Sequence, residues 1–135
     1  MKKELQLVSF KQAQRLKELG FDFETTHFYI ESEEENNVYP FWRSIESYGR
    51  NIYNWNNKED LISAPTVALA LKWFRDVKGI VNCIKREIVE NDGTIEYLGQ
   101  FKNMYLTDYT YDTYEAAEKA LLDELLTLIE NEEKI

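Results

Sequence analysis

The chain has 135 residues, with 25 acidic against 16 basic side chains and a formal charge of −9. That length supports one domain around one core, residues 1–135, and is short for two. Hydrophobic residues at 44% exclude a long disordered or collagen-like chain. The negative field repels phosphate backbones and anionic lipid. A single cysteine, Cys83, excludes an internal disulfide, and a single histidine, His27, excludes a His-rich metal cluster.

The first helix is signalled by Ser9 and Gln12, a capping box in which each side chain satisfies a backbone donor left open at the helix start. Val8 and Ala13 flank it as a hydrophobic staple. Phe10, Ala13, Leu16 and Leu19 form its core stripe, and Lys11, Arg15 and Lys17 are expected in water. Gly20 ends the helix in a left-handed position, with Phe21 folding back on Leu16. Residues 26–31 and 38–43 are rich in β-branched and aromatic types around the polar run 32–37, which predicts a hairpin. Pro40 removes a ladder donor and places its strand at a sheet edge, or breaks it there. Residues 44–60 read as a loop with one short strand around Ile52.

The second helix is expected from Ser63 as cap, with Pro65 in the first turn and Ile62 stapled to Val67. Its stripe is Val67, Leu71, Phe74 and Val77, and Gly79 ends it. Strands are predicted over 80–89 and 94–102 around the turn Asn91-Asp92-Gly93, with another over 104–109. Gly99 inside a strand implies a bulge or a close packing contact. The last helix opens with Asp112 and Glu115 and buries Ala117, Ala120, Leu121, Leu125, Leu128 and Ile129, leaving an acidic outer face. With no β-α-β alternation, the order predicts an α+β fold. Three amphipathic helices would pack on one face of a mostly antiparallel sheet of about four to five strands.

Three segments carry a resemblance: Leu7-Val8-Ser9-Phe10 running to Leu19-Gly20-Phe21-Asp22, Ser63-Ala64-Pro65-Thr66 running to Trp73-Phe74-Arg75-Asp76-Val77, and Thr113-Tyr114-Glu115-Ala116-Ala117. In this order and length the chain resembles a family of small uncharacterised proteins encoded by phages and integrated elements of gut anaerobic bacteria. The resemblance implies a shared fold and a mobile-element context, and it carries over no catalytic residue.

No phosphate-cradling glycine loop, calcium loop or zinc spacing is present, so no cofactor or metal is expected. Cys83, inside a strand, reads as a buried structural thiol, and His27 as a partly exposed strand residue. The charges are segregated, with residues 1–19 at +3 and residues 112–135 at −6. Lys72, Arg75, Lys78, Lys85 and Arg86 form a second basic concentration, which the end of a helix accommodates. Tyr39, Phe41, Trp42, Tyr48, Tyr53 and Trp55 crowd a short, Asn-rich stretch, and this combination of flat apolar faces and polar tips is the composition of recognition surfaces. The start, Met1 to Gln6, lacks the apolar run of a secretory signal, and no stretch reaches a membrane span. The expectation is a cytoplasmic, non-enzymatic protein that binds another protein, and neither nucleic acid nor membrane, through loop 39–55 or the acidic last helix. Three alternatives stand beside it: a small-ligand module using the same loop, an acidic mimic of nucleic acid, and a cysteine-dependent enzyme using Cys83 and His27.

Overall fold

The computed structural model describes residues 6–33, 37–41, 52–88, 93–101, 104–105 and 110–133. Their contacts group the chain into two units, Met1–Thr66 and Val67–Ile135. The chain is α+β, as expected. Its described strands, however, make two three-stranded antiparallel sheets and not one sheet of four to five strands. Each ladder closes within its own unit, with a helix of that unit beside it.

In the first unit, α1 (Phe10–Glu18) starts at the expected box: Gln12 N–H donates to Ser9 Oγ at 3.2 Å, and Ser9 N–H donates to Gln12 Oε1 at 2.9 Å. Gln12 is therefore buried, although polar. At the other end Gly20 adopts φ +92°. Its N–H bonds Lys17 O while Phe21 N–H bonds Leu16 O, the paired closure that a left-handed residue permits. Val8, Ala13, Leu16, Leu19 and Phe21 are buried.

Strands β1 (His27–Ile30), β2 (Val38–Pro40) and β3 (Leu61–Ser63) run in the order β2-β1-β3. The predicted hairpin is β1–β2, and Pro40 closes the edge strand. Phe41 N–H bonds Thr26 O, so ladder alternation turns the nitrogen of residue 40 away from β1, where proline lacks no needed donor. Tyr29 faces α1, meeting the Phe10 ring edge-on at 5.4 Å and donating its hydroxyl to Val8 O at 2.7 Å. Phe28, on the opposite face, meets Trp55 of the 3-10 turn Trp55–Asn57.

β3 departs from expectation, because Ser63 ends a strand and does not cap a helix. Glu31 N–H bonds Asp60 O and Ala64 N–H bonds His27 O, so the backbone groups of Leu61 and Ser63 point to the outer edge. There Ser63 N–H donates to Asn56 Oδ1 at 2.8 Å, and Ser63 Oγ accepts from Asn56 N–H at 3.3 Å, leaving the hydroxyl no helix donor to cap. The strand expected near Ile52 is reduced to a single bridge, Tyr53 with Thr25.

In the second unit, α2 (Val67–Asp76) begins after Pro65 and buries Val67, Ala70, Leu71, Trp73 and Phe74. Val77, expected in the stripe, is exposed because the chain leaves the helix there and turns at Gly79, φ +69°. Strands β4 (Asn82–Ile88), β5 (Ile95–Phe101) and β6 (Met104–Tyr105) follow in that spatial order, and residues 89–92 and 106–109 lie outside the described residues. Helix α3 (Tyr114–Glu133) packs on β4, β5 and α2. Its cap is Thr113, whose Oγ1 accepts from Ala116 N–H at 3.1 Å, and not Asp112. The buried stripe is Ala117, Leu121, Leu122, Leu125, Leu126 and Ile129, so adjacent pairs repeated every four residues replace Ala120 and Leu128.

Gly99 makes the close contact its place in a strand implied. A Cβ built there would stand 3.1 Å from both Cβ and Cδ1 of Leu121. Gly99→Ala is expected to destabilise the chain by about 1–3 kcal/mol through overpacking. In a double-mutant cycle read by urea unfolding, Leu121→Ala should lower that cost, and strictly additive effects would contradict the contact. Ser9→Ala, which opens the capping box, should cost about 1 kcal/mol in the same assay.

Candidate functional site

The start of β1 gathers four aromatic residues of the first unit, Phe28, Tyr39, Tyr53 and Trp55. Thr25 and Tyr53 exchange two backbone hydrogen bonds, at 3.0 and 3.1 Å, and Thr26 O accepts from Phe41 N–H at 2.8 Å. This brings chain from both sides of the sheet to one place. The rings then form a continuous row, Tyr53 to Trp55 at 5.2 Å, Trp55 to Phe28 at 4.7 Å and Phe28 to Tyr39 at 5.8 Å. The two inner rings are buried and the two outer ones half-buried.

Trp55 is 0% exposed, so this member of the expected surface belongs to the core. Its indole N–H donates to Thr25 O at 3.0 Å, which lets an amphipathic ring be buried whole. Tyr39, Phe41 and Tyr53 remain half-buried, and the Tyr39 hydroxyl donates to Glu33 Oε2 at 2.5 Å. Trp42 and Tyr48 lie outside the described residues.

The same unit carries an open cleft of about 560 Å³ lined by Gln14, Lys17, Glu31, Asn56, Asn57 and Glu59 among others. Lys17 was expected in water. Its ammonium instead donates to the carbonyls of Lys58 (3.1 Å), Glu59 (3.3 Å) and Leu61 (2.8 Å), the last being the outward carbonyl of β3. No local sequence signal marks this role, since the partners lie more than forty positions away. None of the four ring-row residues lines the cleft.

His27 is half-buried, as expected, with Nδ1 2.8 Å from Thr26 Oγ1. Burial lowers its pKa, which keeps the imidazole neutral at pH 7. Cys83, in the second unit, is exposed and not the buried thiol expected, its Sγ 3.5 Å from Gln100 Oε1. The neighbouring Asn82 takes the interior position, because its amide donates to Leu71 O and Ile80 O and its Oδ1 accepts from Arg75 Nη1 at 3.0 Å. Strand alternation then turns residue 83 outward.

The second basic concentration is engaged locally. Lys72 pairs with Asp76, Arg75 with Asn82 and Lys85 with Glu87 at 3.3 Å, while the Lys78 ammonium sits 5.3 Å over the Trp73 ring. On α3, Glu118 departs from the acidic outer face, being only 8% exposed. Burial raises its pKa, Glu115 adds to the shift, and Arg75 opposes it. Among the described residues no three His, Cys, Asp or Glu side chains could hold a metal ion together, and no helix is long and apolar enough to cross a membrane. No protein-family model, no curated protein and no solved structure matches the chain.

Trp55→Ala should cost about 3–5 kcal/mol in urea unfolding through the cavity it leaves. Trp55→Phe should cost about 1 kcal/mol, since Thr25 O keeps the Tyr53 N–H when the indole donor is lost. For Glu118, the folded pKa lies above the unfolded one, so the folded chain holds the extra proton between the two values. Its contribution favours the fold below that window and is lost as pH rises through it. Glu118→Gln should raise the thermal midpoint at pH 7 and remove that part of the pH dependence. An unchanged midpoint and pH profile would contradict the buried carboxylate.

Proposed function

We propose that this chain is a non-enzymatic binding protein of a phage or mobile element that recognises another protein through the aromatic row of its first unit. The observation that supports this is the row itself. The buried Trp55 and Phe28 hold the half-exposed Tyr53 and Tyr39 rings at its two ends. Ring faces fixed in this way lose little rotamer freedom on contact and bury a large area per residue, which is how interface anchors work.

The small-ligand reading draws less support, because the cleft of the first unit, which Ile62 lines together with lysine, amide and carboxylate side chains, includes none of the rings of the row. The acidic-mimic reading rests on α3, where Glu118 is withdrawn from the surface.

The test uses the whole chain as bait in host lysate, with captured proteins quantified for the wild type and for Tyr39→Ala/Tyr53→Ala. The double variant should retain its fold and lose a captured partner by about tenfold or more, as interface anchors do. The exposed-site control Lys11→Ala should capture like the wild type. Equal capture by the double variant would count against the row as the contact.

A further inference from the structure

In the second unit, β4 is the edge strand of the order β4-β5-β6, and among the described residues it pairs only with β5. The direction of its backbone groups follows from its neighbour. Tyr97 of β5 exchanges hydrogen bonds with Tyr111, at 2.8 and 2.7 Å, on the side away from β4. Its cross-strand partner Arg86 therefore directs its own N–H and C=O away from β5, and by alternation so do Ile84 and Ile88. Ile88 is 66% exposed, and Cys83, Lys85 and Arg86 are exposed as well.

We propose that β4 pairs antiparallel with β4 of a second copy of this chain, with Arg86 on the two-fold axis. This inference is independent of the aromatic row. Symmetry and pleat together restrict the register. Two identical antiparallel strands are related by an axis perpendicular to the sheet, and directly opposed residues share a face, so the axis passes through a residue and not between two. An axis on Ile84 sets Cys83 against Lys85 and Asn82 against Arg86. An axis on Lys85 sets lysine against lysine and Ile84 against Arg86. An axis on Glu87 sets glutamate against glutamate and Arg86 against Ile88.

Of these registers, only the one on Arg86 matches chemistry. Lys85, already 3.3 Å from Glu87 of its own strand, meets Glu87 of the second copy as well on one face, and Ile84 meets Ile88 of the second copy on the other, each twice by symmetry. The outward backbone groups of Ile84, Arg86 and Ile88 then oppose those of Ile88, Arg86 and Ile84 in the second copy. Charges on an edge strand normally discourage pairing. Here the registers on Lys85 and Glu87 set like charges against each other and the register on Ile84 sets Lys85 and Arg86 against uncharged residues, so the charges set specificity more than strength. The residual cost is Arg86 facing its own copy, which keeps the association reversible.

Sedimentation of the full chain over a concentration series, under reducing conditions, should show a monomer–dimer equilibrium. Glu87→Lys, which sets lysine against Lys85, should weaken it by about tenfold. Lys85→Glu combined with Glu87→Lys should restore it, and Arg86→Thr should tighten it. The register is read separately in a Cys83→Ser background. Arg86→Cys should form an intermolecular disulfide on oxidation, since residues opposed on the axis lie about 5.5 Å apart at Cα, whereas Ile84→Cys should not. A chain that stays monomeric throughout the series, a dimer indifferent to the charge swap, or cross-linking at 84 in place of 86 would each overturn the proposal.

Discussion

A backbone polar group taken out of water needs a partner, and in both units side chains from distant positions supply it. Lys17 closes three carbonyls, including the outward one of β3, and Asn56 closes the N–H of Ser63. Tyr29 reaches Val8 O, and Trp55 reaches Thr25 O. In the second unit Asn82 performs the same work, holding the carbonyls of Leu71 and Ile80 while steadied by Arg75. These bonds let short elements, a three-residue strand among them, persist at the edge of a small core. Each is modest in net energy, and losing one costs most where the acceptor has no second donor, unlike Thr25 O, which keeps the Tyr53 N–H.

The same principle separates what could be read in the sequence from what could not. Ser9 with Gln12, Gly20 with Phe21, the two hairpins and Gly99 all depend on neighbours within a few positions or on backbone freedom, and all appear where expected. Ser63 carries the letters of a helix cap because a strand ending in Ser-Ala-Pro shares them, and Asn56, seven positions away, decides between the two. Cys83 departs from its expected buried place for a similar reason. Ranking residues by hydrophobicity favours cysteine inside, yet only an amide there can donate to both Leu71 O within α2 and Ile80 O beyond it. Lys17 carried no signal at all.

The aromatic stretch was legible as composition and not as geometry. Six rings near one another in sequence can be core, surface or both, and the outcome depends on which ring has a buried acceptor within reach. Trp55 has one in Thr25 O, so it goes inside and becomes the foundation for the rest. Tyr39 and Tyr53 carry hydroxyls that favour a wet end, and they stop half-way. A row with a dry centre fixes the outer rings that pack against it, the preorganisation on which the proposed recognition rests.

The strand edges differ in the same physical terms. The outer edge of β2 carries Pro40, whose missing N–H removes a donor from the side that faces away from β1. The outer edge of β3 is spent on Lys17 and Asn56. Neither offers a ladder to another chain. The outer edge of β4 retains the backbone groups of Ile84, Arg86 and Ile88, and among the described residues it carries charge and no strand partner. A proline or a capped carbonyl blocks every partner equally, whereas a charge pattern blocks only partners that fail to match it. The sequence Ile84-Lys85-Arg86-Glu87-Ile88 matches its own reverse about its centre in apolar character and opposite charge at every position except Arg86 itself. A second copy of the chain is therefore the partner against which this guard is weakest.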